Sequence, residues 1–205
     1  MKYKGKLGSI AIMLLCIACT TGEPKTGNEQ VTEVANSQLN SSDPYKKRGR
    51  KIVKNTFDTL RTTLLAAIEK EDIQSAIAVC NVQALPLTAT YASENISIRR
   101  SSLKVRNPEN APTEMEIAQL KYLSKMADQK TDITESIISG TDGKTHYFKA
   151  IHMQPLCLNC HGKAGEEIMP ETLKKLKELY PGDQAINYSD KDFRGVWHIS
   201  FANEQ

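Results

Sequence analysis

The sequence predicts an α+β domain built on an antiparallel sheet. Two observations carry this. The first half of the folded part spaces its apolar residues as helices do, and from about residue 96 onward β-type runs alternate with short helical stretches. A first helix is expected from about Tyr45 to Leu65, where Ile52, Val53, Phe57, Leu60, Leu64 and Leu65 share one face. Asp72 is suited to cap a second helix through Ile73, Ala76, Ile77 and Cys80. Pro86 lacks an N–H and should kink or end that helix, or start the next piece. ISIRRSSLKV (96–105) is expected as a strand, and RNPENAP (106–112) as a turn-rich loop in which Asn107 and Asn110 fasten the backbone. Thr113-Glu114-Met115-Glu116 is a capping box, so a helix should run from about 114 to 128. Ile133–Ser139 and Thr145–Ile151 flank Gly140–Gly143 as the arms of a hairpin. Pro170-Glu171 opens a short helix with Leu173, Leu176 and Leu179, closed by Tyr180-Pro181-Gly182. Gly195–Phe201 alternates like a half-buried strand.

The N-terminus stands outside this plan. Lys2, Lys4 and Lys6 precede a short apolar run, Ser9–Ala18, that ends at Ala18-Cys19. This is the pattern of a signal peptide over 1–18 with Cys19 as the acylated residue of a lipoprotein; the alternative is an ordinary cleaved secretory signal and a soluble periplasmic protein. Residues 19–44 are polar and lack apolar periodicity, and are expected as a disordered leash. The folded domain would then occupy 45–205. Of the 27 Lys and Arg, three lie in the signal, leaving 24 against 24 Asp and Glu. The sequence pI of about 8.5 therefore gives no reason to expect nucleic acid as a partner.

Cys16 falls in the signal and Cys19 at its edge, so the mature domain keeps Cys80, Cys157 and Cys160. The last two belong to 157-CLNCHG-162. A structural zinc site needs four ligands, and Cys80, His146, His152 and His198 are scattered in sequence with no second ligand pair. A thioredoxin-type dithiol needs a βαβ frame, which is missing. Two thiols at this spacing can instead form thioethers with the two vinyl groups of one porphyrin, and His161 on the same turn can reach the iron. The expected cofactor is one covalent haem c. Helical spacing alone places Cys80 on an apolar stripe with Ile73, Ala76 and Ile77, the ordinary position of a buried free cysteine. Its other reading is a thiolate ligand of the iron, with His152, Met153, Met115, Met126 and Met169 as rivals for that place.

Four segments occur in order: 77-IAVCNVQA-84, 99-RRSSLKVRNPENAP-112, 155-PLCLNCHG-162 and 180-YPGDQAINYSDKDFRGVWHISF-201. Together they resemble a family of exported c-type haem domains, long filed as a domain of unknown function, found alone and as the input domain of histidine kinases. The resemblance covers roughly residues 45–203. It implies a PAS-like fold with flanking helices and long N-terminal helices. It also implies iron held by His161 and by a cysteine whose position here is Cys80, followed by Asn81; this reverses the preference drawn from spacing. Asn187 stands where the family carries glycine, and asparagine tolerates a left-handed turn. Arg99, Arg100, Lys104 and Arg106 are candidates to pair with haem propionates, with Arg100 and Arg106 favoured. Trp197 is expected in the core or against the haem.

The expected function is a membrane-anchored haem protein for redox or small-gas sensing, acting with a separate signalling partner. An electron-transfer cytochrome is the alternative. A haem enzyme of peroxidase type would need an open coordination position, which Cys80 as a ligand would close, so no catalysis is expected.

Overall fold

A computed structural model describes residues 43–202. The signal peptide, Cys19 and all but the last two residues of the leash lie outside them. The elements are α1 Pro44–Lys70, α2 Ile73–Ala89, β1 Ile96–Ser101, a 3-10 turn Pro108–Asn110, α3 Glu114–Asp128, β2 Glu135–Ser139, β3 Lys144–His152, α4 Pro155–His161, α5 Pro170–Leu179 and β4 Phe193–Ala202. The strands form one antiparallel sheet in the order β1-β4-β3-β2. The chain is α+β, as expected. No helix among the described residues is long and apolar enough to cross a membrane.

α1 begins where Asp43 accepts the N–H of Tyr45 at 2.8 Å, with Pro44 in the first turn. It outruns its expected end at Leu65, because Ala66 to Lys70 are good helix formers and continue it to Lys70. Asp72 caps α2 through the N–H of Ser75. Pro86 does not end α2, which continues to Ala89. The carbonyl that loses its N–H partner belongs to Val82, which is 70% exposed, so water can serve it. β1 stops at Ser101, short of the expected Val105. α3 and its capping box match expectation: Thr113 and Glu116 exchange side-chain and backbone bonds. Asp142-Gly143 turns the β2–β3 hairpin, with Gly143 at φ 74°.

The sheet has two covered faces. On one, Tyr147, Trp197, Ile199, Phe201 and Ile98 pack with Ile52, Val53, Phe57 and Leu60 of α1. α1 lies close here, since a Cβ on Gly49 would meet the Tyr147 ring. On the other, Phe148 and Val196 pack with Leu120 and Leu123 of α3. Alternation along β3 and β4 assigns residues to these faces until Ile151, where the pairing slips. Ile151 faces Gly195 but His152 faces Phe193, leaving Arg194 as the extra residue of a bulge.

Candidate cofactor site

A cavity of about 310 Å³ opens between α1, α2, the end of β1, α4 and the start of β4. Leu60 and Leu64 of α1, and Ile77, Ala84 and Leu85 of α2, give it an apolar wall. Cys80 stands in that wall, and Cys157, Cys160 and His161 line the same space from α4. Four arginines line it too, Arg61, Arg100, Arg106 and Arg194, with no carboxylate among the lining residues.

α4 is short, and the chain beyond it explains how its side chains are held. Residues 183–188 fold back across it as a strap. The N–H of Asn187 donates to the Gly162 carbonyl at 2.8 Å and that of Tyr188 to the His161 carbonyl at 3.0 Å. Asn187 adopts φ 63°, the left-handed turn expected of it. The decisive bond runs from His161 Nδ1 to the Ala185 carbonyl, at 2.7 Å. A carbonyl only accepts, so Nδ1 carries the proton and Nε2 keeps its lone pair. Burial holds the His161 pKa well below the ordinary value, with Arg106 and Arg194 adding to the effect. The ring is therefore neutral and lines the cavity with a lone pair on Nε2 that could serve a metal.

The three thiols are unpaired and half-buried. Burial pushes the Cys160 thiol up to about 11, against the pull of Arg106 and with Cys80 and Cys157 adding to the rise. Burial also raises Cys80, while Arg100 and Arg106 oppose it. Cys80 acts on Cys160 across the cavity that both line, which makes α2 and α4 neighbours there. Among the described residues no three His, Cys, Asp or Glu side chains are disposed to hold a bare metal ion, so these four do not make a Cys3His zinc site.

Of the rival ligands, Met153 and His152 line the cavity with Cys80. Met153 is buried against Ala185, Tyr188 and Cys157, and His152 Nδ1 faces the Lys191 carbonyl. Met115 packs in the α3 core and Met169 is 57% exposed. Neither they nor Met126 belong to the lining.

The basic residues separate into distinct roles. Arg99 points to the α3 side, where it donates to the Ala111 carbonyl at 2.7 Å. Lys104 donates to the Ile186 carbonyl at 3.1 Å and covers the Tyr188 ring. Arg106 lines the cavity, but its guanidinium is engaged by Asp183 at 2.9–3.0 Å and by the Cys160 carbonyl at 2.5 Å. Arg100 lies over Trp197, and its Nε is buried without a hydrogen-bond partner. A buried guanidinium N–H with no acceptor is costly. The neighbouring Ser101 Oγ is likewise buried and unpartnered. Asn107 fastens its loop by accepting the N–H of Glu109, while Asn110 faces the cavity.

Arg194 is the lining residue that sequence reasoning missed. Plain alternation would set it on the α3 face beside Val196. The bulge turns it into the cavity, where it donates to Ser102 and to the Lys104 carbonyl. Gly195 beside it has no room for a side chain, since a Cβ would meet the Ser101 carbonyl oxygen.

A family model described as Tll0287-like matches residues 25–202. Among solved structures, the crystal structure of the cyanobacterial haem protein Tll0287 is similar, with a TM-score of 0.54 and 23% identity over 80% of this chain and 99% of that one. At that identity the likeness is one of fold. No curated protein matches.

Proposed function

The chain belongs to the Tll0287-like family, and from that premise we propose that it is an exported haem-binding protein whose cavity takes one c-type haem. The observation that carries this reading is that Cys80 meets Cys157, Cys160 and His161 in a single cavity despite lying on a different helix.

The residues present fit the group. Cys157 and Cys160 offer two thiols on one helical turn for thioether attachment. His161, its Nδ1 proton held by Ala185, would offer Nε2 to the iron, and Cys80 would offer its sulfur to the same iron. A haem is flat and apolar, with two carboxylates at one edge. The apolar α1 and α2 wall and the four arginines of the lining suit both parts. Arg100 has the strongest claim on a propionate, since its buried Nε lacks an acceptor. Arg106 is assigned to the same edge, but as a brace already shared with Asp183. When bound, the haem would supply a one-electron iron couple. The strap would hold His161 in one tautomer, and α1 with α2 would exclude water from the cavity.

In this reading the domain is PAS-like, and the mature protein is tethered outside the cytoplasm through a lipid on Cys19. Its role is redox or small-gas sensing for a separate partner, and it is not an enzyme. Support for sensing comes from the position of Cys80: α2 packs on α1, the helix that leads back toward the N-terminal segment. A change in ligation at Cys80 would be felt there first. The test is the optical and EPR spectrum of the holoprotein beside Cys80→Ala. The wild type should show a low-spin thiolate signature that the variant loses. A signature unchanged in Cys80→Ala removes the assignment, and absence of covalent haem after co-expression with attachment machinery removes the whole reading. Electron transfer, the alternative, would be indicated by a reversible couple with no ligand exchange on reduction.

A further inference from the structure

The face of the sheet under α3 holds an unbroken chain of four titratable side chains, none of which touches the cavity. Glu116 Oε1 lies 2.8 Å from His198 Nδ1, His198 Nε2 lies 2.9 Å from His146 Nδ1, and His146 Nε2 lies 3.0 Å from Asp142 Oδ1. The two histidines sit 52 residues apart in sequence and meet because β3 and β4 are neighbours. Phe148 stacks on the His198 ring at 4.3 Å between centroids. Gly140 leaves room for the outer end, since a Cβ there would meet Asp142 Oδ1 and His146 Nε2.

We infer that Glu116, His198, His146 and Asp142 form a proton-binding site that holds one exchangeable proton shared by two imidazoles. The count is forced by the geometry. Three hydrogen bonds link the chain, and each needs one proton. Ionised carboxylates at the ends can only accept, so the four ring nitrogens must carry three protons between them. Two neutral imidazoles carry two. The third makes one imidazolium, and it can reside on either ring by moving along the central N···N bond. The surroundings agree. Glu116 is held ionised by His198, by the N–H of Thr113 and by Arg99 at 3.3 Å, which outweigh its burial. His146 lowers Asp142 in the same way, and Lys144 stands 4.0 Å from that carboxylate. These are the charged groups that face the chain from α3, β1, β3 and the hairpin turn.

The site has a direction. When the shared proton leaves, two protons remain for three bonds and one bond must open. Glu116 is fully buried, whereas the Asp142 side chain is 45% exposed and can be rehydrated. The break therefore falls between His146 and Asp142, at the turn of the β2–β3 hairpin, while Glu116 keeps α3 fastened to β4. This inference stands whatever occupies the cavity.

Imidazole 15N NMR of the full-length protein tests it. The sequence has four histidines, so each can be followed, and His152, outside the chain, serves as an internal control. The ring nitrogens of His146 and His198 should move together with one midpoint, as one proton leaves the pair. The amides of Gly143 and Lys144 should shift with them. Asp142→Asn, at an exposed position, should lower that midpoint, because it removes the carboxylate that favours the imidazolium. Separate midpoints for His146 and His198, or a midpoint unmoved by Asp142→Asn, would overturn the proposal.

Discussion

The two faces of the sheet differ in what their buried polar groups meet. Under α3, Glu116 is fully buried and meets His198 and the Thr113 N–H, with Arg99 Nε 3.3 Å away though not hydrogen-bonded. On the cavity side, Arg100 Nε is buried without a partner, and four guanidinium groups gather, of which Arg106 is held by Asp183. Satisfied polar groups inside a protein fasten its own elements. Unsatisfied ones cost free energy and persist where something else is meant to complete them. The contrast thus separates the side of the sheet that fastens the fold from the side proposed to take a cofactor.

The largest expected effect tests the cavity side. Cys157→Ser with Cys160→Ser should abolish covalent attachment, so that haem staining of the polypeptide on a denaturing gel is lost. Staining that survives would break the comparison at its functional end. Next is the closed face. Glu116→Ala strips His198 and Arg99 of a buried partner and should cost about 3 kcal/mol in chemical denaturation. Covalent haem should remain, because Glu116 touches nothing in the cavity. A smaller effect separates the faces by pH in the haem-free chain. The lowered pKa of Glu116 contributes stability that is present above the ordinary value of 4.5 and is lost as pH falls through its folded value. His161 has its folded pKa lowered from 6.5. Below 6.5 the unfolded chain binds a proton there that the folded chain does not, so stability falls earlier, from about pH 6.5 downward. His161→Gln should flatten the upper part of that decline in thermal melts and leave the lower part. The smallest effect is Thr113→Ala, which removes half of the capping box and should cost about 1 kcal/mol without altering any haem spectrum.

Much of this molecule was legible where its signals are local. The Thr113–Glu116 box, the Asp142-Gly143 turn, and α5 between Pro170 and Tyr180-Pro181-Gly182 depend on neighbours a few residues apart, and each lies where expected. Cys157, Cys160 and His161 stood out for the same reason, and the structure sets them on one short helix lining one cavity. Pro86 was expected to kink or end its helix or start the next piece; α2 carries it inside and runs on to Ala89, with exposed Val82 four residues back. β1 was expected too long because β propensity does not say where a partner strand ends; the β1–β4 ladder stops at Ser101 against Val196. The commitment of Arg106 to Asp183 and the pairing of His146 with His198 are tertiary facts, created by strands and loops distant in sequence. Arg194 was hidden by a one-residue slip that no local periodicity announces.

That slip has a consequence beyond the arginine it displaces. A strand is a two-beat pattern, and the bulge inserts a single extra beat. Everything from Gly195 onward keeps one phase, and Phe193 before it keeps the other, which is why Phe193 reaches the same core as Val196. Deleting Arg194 would therefore put the strand back in step without moving the ring: Phe193, now next to Gly195, would keep the α3 side it already occupies, and only the cavity would lose a group. One inserted residue lets two adjacent positions, Arg194 and Gly195, serve the same side of the strand.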